Sequence, residues 1–473
     1  MSELKYLVFF VVLIVGVPTG YMLALKYKWI EKLVFFLFIF FTCEMVDINF
    51  VSMETYRGTS KGFEFGMVDI AMYILLLLSF KRAKQYNIEW FPPGAILYIL
   101  YFLCSLISII HSDIFIYSAF EITKMIRMYL YFWIAYNYIQ NEEQLETLMH
   151  SVGIIIFYIF FSVVKQKYLL GMFQAMGPFP HQNSLTMYIS ILGALALARV
   201  LNRSKISVPL WFLLFAMSAF CVLSTLSRAG LALFAINSCL VFFVSLLLKN
   251  RGRDIEQRQL RKRKWVILII MPLVGSAALY KASDSIIERF ATAPEESALT
   301  RIYLAKAAAK MANENIFGVG LNNFAHKIND PYPYGADIPA EISRDSTKRG
   351  LVETAYLMIA AEAGWVTLGV FFIMLMYFYI KNIINIIRLK NTAYRYIAVA
   401  LLGALSQVYI QTTLEWVVKQ TNNFYQLMLV FAIISVMTKI WKRQQKQKIT
   451  TPLTKSAPLQ LSPNRRSPCV TTI

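Results

Sequence analysis

Apolar runs long enough to cross a bilayer recur along this chain, and short segments rich in Lys and Arg separate them. A helix needs about 20 apolar residues to span the hydrocarbon core. Candidate spans fall at 6–25, 33–50, 66–80, 93–111, 118–139, 147–164, 184–200, 207–225, 229–248, 265–281, 362–380, 394–413 and 423–441. The expected fold is therefore all-α: a polytopic integral membrane protein with about 12–13 transmembrane helices. Composition agrees, since 58% of the residues are hydrophobic and 16% charged, against roughly a quarter charged in soluble proteins. The first run has no small-residue cleavage site and is read as an anchor.

The formal net charge of +20 does not indicate a nucleic-acid partner. The basic residues sit between apolar runs instead of forming one folded basic face. Lys81, Arg82, Lys84, Arg199, Arg203, Lys205, the segment 249–264, Lys381, Arg388, Lys390, Arg395 and the tail from Lys439 all fall on one side if the spans alternate. The positive-inside rule makes that side cytoplasmic. The expected location is the inner (cytoplasmic) membrane, with the N-terminus outside. The chain then divides into N-terminal spans (1–281), a large extracytoplasmic loop (282–361), C-terminal spans (362–441) and a basic, disordered cytoplasmic tail (442–473). Residues 297–315 of the loop are rich in Ala and Lys and read as a helix that the glycines of GVGLNNF (318–324) bring to an end. Cys43, Cys104, Cys221, Cys239 and Cys469, and the four histidines, lack metal-ligand spacing. Neither metal nor cofactor is expected.

Cations on the outer face run against the positive-inside bias, which makes them informative. Arg228, in TLSRAG, lies at the outer end of the ninth span, and Arg301 lies in the loop helix. Two outward guanidinium groups suit a pyrophosphate, since each presents a planar fork to phosphate oxygens. Alternatively, each pairs with an acidic neighbour or a lipid headgroup. In GPFPHQNSL (177–185), His181 and Asn183 suit hydrogen bonds to a sugar, while Asn183 equally suits a helix cap. Glu121, Lys124 and Arg127 share one side of the fifth span. They mark an interior function, or else Glu121 and Lys124 pair locally and Arg127 snorkels. Glu353, near the outer surface, and the deeper Glu362 are either a general base or helix-start carboxylates.

The series GPFPHQNSLTMY, TLSRAGLALF, LTRIYLAKAAAKMANENIFGVGLNNF and VETAYLMIAAEAGWVTLGVFF resembles the O-antigen ligase and polymerase family in order and spacing. The likeness covers roughly 120–440 and is best over 222–375. It implies a GT-C-like membrane glycosyltransferase, metal-independent, that takes a glycan from an undecaprenyl-pyrophosphate carrier on the outer face and passes it to a glycan or lipid acceptor. By position, Arg228 and Arg301 match the family's arginines and would hold the leaving pyrophosphate. Where ligases show a His-Asn pair before the eleventh span, this chain has Glu353-Thr354. Glu353 then becomes the candidate base, provided that burial raises its pKa, with His326 of the same loop as the other candidate.

The expected activity is surface-polysaccharide ligation or polymerisation, with Glu353, Arg301 and Arg228 catalytic and His181, Asn183 and His326 binding substrate. The rival is a transporter or flippase for a polar or lipid-linked solute, which predicts inverted repeats and broken helices at the midplane. A subunit of a polysaccharide-export assembly without catalysis is a third reading.

Overall fold

Apart from the run 33–50, the apolar runs fold into helices, which satisfy the backbone groups where there is no water to bond. The computed structural model describes residues 2–85, 87–203, 206–248, 254–281, 295–339, 350–390 and 392–450. In chain order the elements are α1 (Tyr6–Lys26), α2 (Lys28–Phe40), β1 (Asp47–Ser52), β2 (Gly62–Gly66), α3 (Met67–Lys81), α4 (Ala95–Ile107), α5 (Phe115–Tyr138) and α6 (Glu142–Val164). They continue with α7 (Gln182–Asn202), α8 (Val208–Thr225), α9 (Arg228–Leu247), α10 (Asp254–Lys281), α11 (Glu295–Glu314), α12 (Ala355–Arg388), α13 (Arg395–Leu414) and α14 (Thr421–Thr450). Among the described residues, eight helices are long and apolar enough to cross a membrane: α1, α6, α7, α8, α9, α12, α13 and α14. The chain is an all-α polytopic membrane protein.

Three boundaries differ from the sequence reading. The run 33–50 is not one helix, because α2 ends at Phe40 and residues 47–52 pair as β1 with β2 in an antiparallel hairpin. Helix α12 begins at Ala355, inside the expected loop, and α14 continues to Thr450, beyond the expected start of the tail. Residues 282–294 and 340–349 of the loop, and 451–473 of the tail, lie outside the described residues, and so does the expectation of tail disorder.

Helix α7 is the centre of the bundle. Its whole span is buried, against 11% for α1, and it packs on α8, α9 and α13. Small residues permit this: a Cβ on Gly193 would lie 3.0 Å from the Ser218 side chain, and one on Gly230 only 2.3 Å from Thr186. Helix–helix packing in membranes depends on such close approach, since lipid supplies no hydrophobic drive between helices. Helix α1, with Ile14 and Met22 exposed, presents its apolar surface to lipid.

The lobe built by the loop before α12 is fixed by a break in that helix. Gly364 has φ +88° and interrupts the helix. The carbonyls of Ala361 and Glu362 turn away from the helical ladder and accept from Val319 (2.9 Å) and Gly320 (3.2 Å). The GVG segment thus supplies the donors that the break removes, as buried carbonyls require. Gly318 and Gly320 have φ +79° and +109° and approach the α12 and Ser112 backbones more closely than any side chain permits. Beyond them Asn322 is fully buried, bonding to Thr59, Ser60 and Tyr117. Leu304, Ala308 and Met311 of α11 join Phe324, Met358 and Ala361 in a core separate from the bundle's.

The charges of α5 are structural. Glu121 pairs with Lys124 at 2.6 Å and accepts from Ser60 at 2.6 Å. Lys419, before α14, bridges Glu121 (3.6 Å) and Glu362 (2.8 Å). Arg127 does not snorkel: it is buried and bonded by two nitrogens to Asp69, at 3.0 and 2.6 Å. In hydrocarbon, pairing is cheaper for a side chain placed this deep than reaching water through packed protein.

Candidate active site

A cavity of about 510 Å³ opens where four separate segments meet on the face that carries the lobe. They are the start of α7, the α8–α9 turn, the α11/α12 region and the segment after α13. His181, Asn183, Arg228, Arg301 and Glu353 line it together, with Glu415 and Gln420 beside them.

Local sequence explains how each is placed. In TLSRAG, Leu226 adopts a left-handed conformation (φ +50°) that ends α8, and Ser227 caps α9 by accepting from the Gly230 amide at 3.2 Å. This puts Arg228 at the first residue of α9, on the cavity wall. Close packing of Gly230 on Thr186 then joins the arginine's helix to the His181 segment. At α7 the cap is His181 and not Asn183: its Nδ1 accepts from the Asn183 amide at 3.2 Å. A ring nitrogen that accepts is unprotonated, so the neutral ring carries its proton on Nε2. The pKa of His181 is lowered, chiefly by burial and further by the Arg301 charge, while Glu353 opposes the shift.

Arg301 extends from α11 between two carboxylates. Its Nη2 lies 3.5 Å from Glu415 Oε1 and 4.0 Å from Glu353 Oε2. Glu353 precedes the first residues of α12, and its side chain is 34% exposed, so the burial expected for it is not found. Glu415, at 8% exposure, is the buried member of the pair. Its carboxyl is pushed up to about 8 by burial, then by the charge of Glu353 and a hydrogen bond to that group; Arg301 and a hydrogen bond to Asn183 oppose the shift. Burial and the neighbouring carboxylate thus favour the protonated form of Glu415.

Of the residues expected from sequence, five converge and one does not. His326 is outside the cavity lining. It lies on the lobe beside Tyr332 (Nε2 to Oη 3.2 Å), near the Asp113–Lys327 pair. Glu415 and Gln420 were missed. Glu415 stands in LEWVVKQ at the end of a span, where a lone carboxylate gives the sequence little to distinguish it.

Arg228, Arg301 and Glu353 all fall within one recognisable block of sequence. Residues 212–372 match the sequence model of the O-antigen ligase family. This block is similar to the O-antigen ligases, which supports a place in the O-antigen ligase and polymerase family and a membrane enzyme of polysaccharide assembly. The matched block contains the two arginines and Glu353, whereas His181, Asn183 and Glu415 reach the cavity from outside it. No curated protein matches the chain.

Proposed function

We propose that this O-antigen ligase family member is an extracytoplasmic glycosyltransferase of surface-polysaccharide or exopolysaccharide assembly, taking its glycan from an undecaprenyl-pyrophosphate carrier in the inner membrane. The observation that carries the reading is the convergence of Arg228 and Arg301 with a carboxylate pair in one polar cavity on the lobe face.

The pyrophosphate sits against Arg228 and Arg301, whose guanidinium forks pair with its oxygens. An acceptor sugar hydroxyl approaches the anomeric carbon from the opposite side. Its proton passes to Glu353 as the new oxygen–carbon bond forms, and the bond from the anomeric carbon to the phosphate oxygen breaks with inversion. The electron pair leaves with the pyrophosphate, where the two arginines neutralise the developing charge. The guanidinium groups occupy the role that a divalent cation fills in other phosphate-leaving reactions, which accords with metal-independent transfer. Glu415, whose carboxyl burial pushes upward, lies against Glu353 and orients it. His181 Nε2–H and Asn183 are placed to bind sugar hydroxyls.

Replacing Arg228 with Ala in cells and examining their glycans tests this reading. Lipid-linked repeat units accumulate if the proposal holds. Loss of long chains then assigns polymerisation, and loss of glycan from a lipid acceptor assigns ligation. Unchanged glycans with normal protein levels overturn it.

A further inference from the structure

A second polar cavity, of about 320 Å³, lies at the far end of α14. Gln420, which lines the arginine cavity, immediately precedes α14, and Lys439 is 19 residues further on, about 28 Å at 1.5 Å per residue. That distance is close to the thickness of the hydrocarbon core, so the second cavity lies at the headgroup level of the opposite leaflet. Lys439, Lys442, Arg443 and Lys446 line it, together with Tyr136 and a single carboxylate, Glu89.

The charges do not balance. Glu89 Oε2 accepts from Tyr136 Oη at 2.6 Å. Lys439 is 7% exposed; its ammonium donates to the Tyr136 carbonyl and lies 4.0 Å from that ring's centroid. Lys381 approaches from α12, its ammonium 3.4 Å from Ser435 Oγ, and Ser435 lines the cavity. Among the described residues, no carboxylate lies within 4.0 Å of Lys381, Lys439 or Lys442. The chain beyond residue 450 contains no Asp or Glu to supply one. Orientation by positive charge needs only hydrated cations. It does not account for a lysine packed inside the bundle with carbonyl and ring contacts alone, where an unpaired charge is costly.

The loop that carries Glu89 continues into Trp90 and Phe91, which are 63% and 68% exposed. Aromatic residues at this depth belong to the membrane interface. Basic pockets between spanning helices suit phosphate headgroups, and the flanking aromatic rings suit the glycerol and upper acyl region.

We propose that this cavity binds the phosphate of an anionic phospholipid headgroup, with Lys439 and Lys442 as its principal cations. The site is independent of the transfer chemistry assigned to the opposite face.

Native mass spectrometry of the full-length protein tests it, with equal amounts of phosphatidylglycerol and phosphatidylcholine offered, with and without inorganic phosphate. The wild type is expected to retain phosphatidylglycerol in preference to phosphatidylcholine, unaffected by inorganic phosphate. Lys439→Met is expected to lose that preference. Lys442→Gln, changed at an exposed position, is expected to weaken it several-fold and keeps the test open if the buried substitution does not fold. Retention of both lipids alike, or an unchanged preference in Lys442→Gln, overturns the site. Displacement of the lipid by inorganic phosphate overturns the lipid as its source and leaves a soluble phosphate as the ligand.

Discussion

Arg301 is held between Glu415 and Glu353 in the absence of any phosphate, so the pyrophosphate has to compete for a guanidinium that is already oriented. A planar fork serves both partners, whereas an ammonium serves them poorly. Arg301→Ala and Arg228→Ala are each expected to lower transfer by about 10²–10³-fold, the usual cost of removing one group aimed at developing charge. Arg301→Lys should recover only part of the loss, as read by initial rates on lipid-linked glycan. Glu415 makes a separate prediction. Its carboxyl is pushed up from the ordinary carboxylate range to about 8 on folding, so the native state binds the extra proton over that interval and stability falls as pH rises through it. Thermal unfolding of Glu415→Gln should lack that decline, and an identical pH profile in variant and wild type would refute the assignment. The arginines stood out in the sequence because cations expected on the outer face run against the positive-inside bias. Glu415 was not, since one carboxylate at a span end carries no such contrast and its partner lies over sixty residues away in sequence.

Helix α12 shows why an element's chemistry depends on one residue. A Cβ at Gly364 would lie 2.0 Å from the Ile316 carbonyl oxygen, at φ +88°. Gly364→Ala should cost about 1–3 kcal/mol in backbone strain alone, with the clash in addition, and undock the GVG segment. A fall in unfolding temperature together with new protease cleavage near residue 318 would report it. The sequence reading placed α11, and the glycines that follow it, correctly. It did not find the break, because AAEAGW has helical composition and the two carbonyls freed there find donors only in a distant segment. The β1–β2 hairpin was absorbed into an apolar run for a similar reason: DINFVS is apolar enough to extend a span, and only its pairing with GFEFG separates it.

Across the whole molecule, the apolar runs gave the all-α polytopic class, since hydrocarbon leaves the backbone few alternatives. Eight helices among the described residues are long and apolar enough to span, against the roughly 12–13 expected. The arrangement of those helices was not legible. Residues 181, 228, 301, 353 and 415 come together only because α7 is enclosed on all sides and the lobe is docked through Asn322 and the α12 break. The buried network of Glu121, Lys124, Lys419 and Glu362 locks the segment after α13 to α5 and α12. Lys419→Met should therefore cost about 3–5 kcal/mol, as expected when one partner of a buried pair is removed, and adding Glu362→Gln should restore part of it; an additive double variant would contradict the coupling. The arginine cavity is where glycan transfer is proposed to occur. The most direct test is release of undecaprenyl pyrophosphate by purified protein in liposomes supplied with lipid-linked glycan and acceptor, for wild type, Arg301→Ala and Glu353→Gln. Acceptor-dependent release by the wild type and its loss in both folded variants is the predicted result. Release that persists in both, or movement of lipid across the bilayer by the wild type without any glycan transfer, would contradict it.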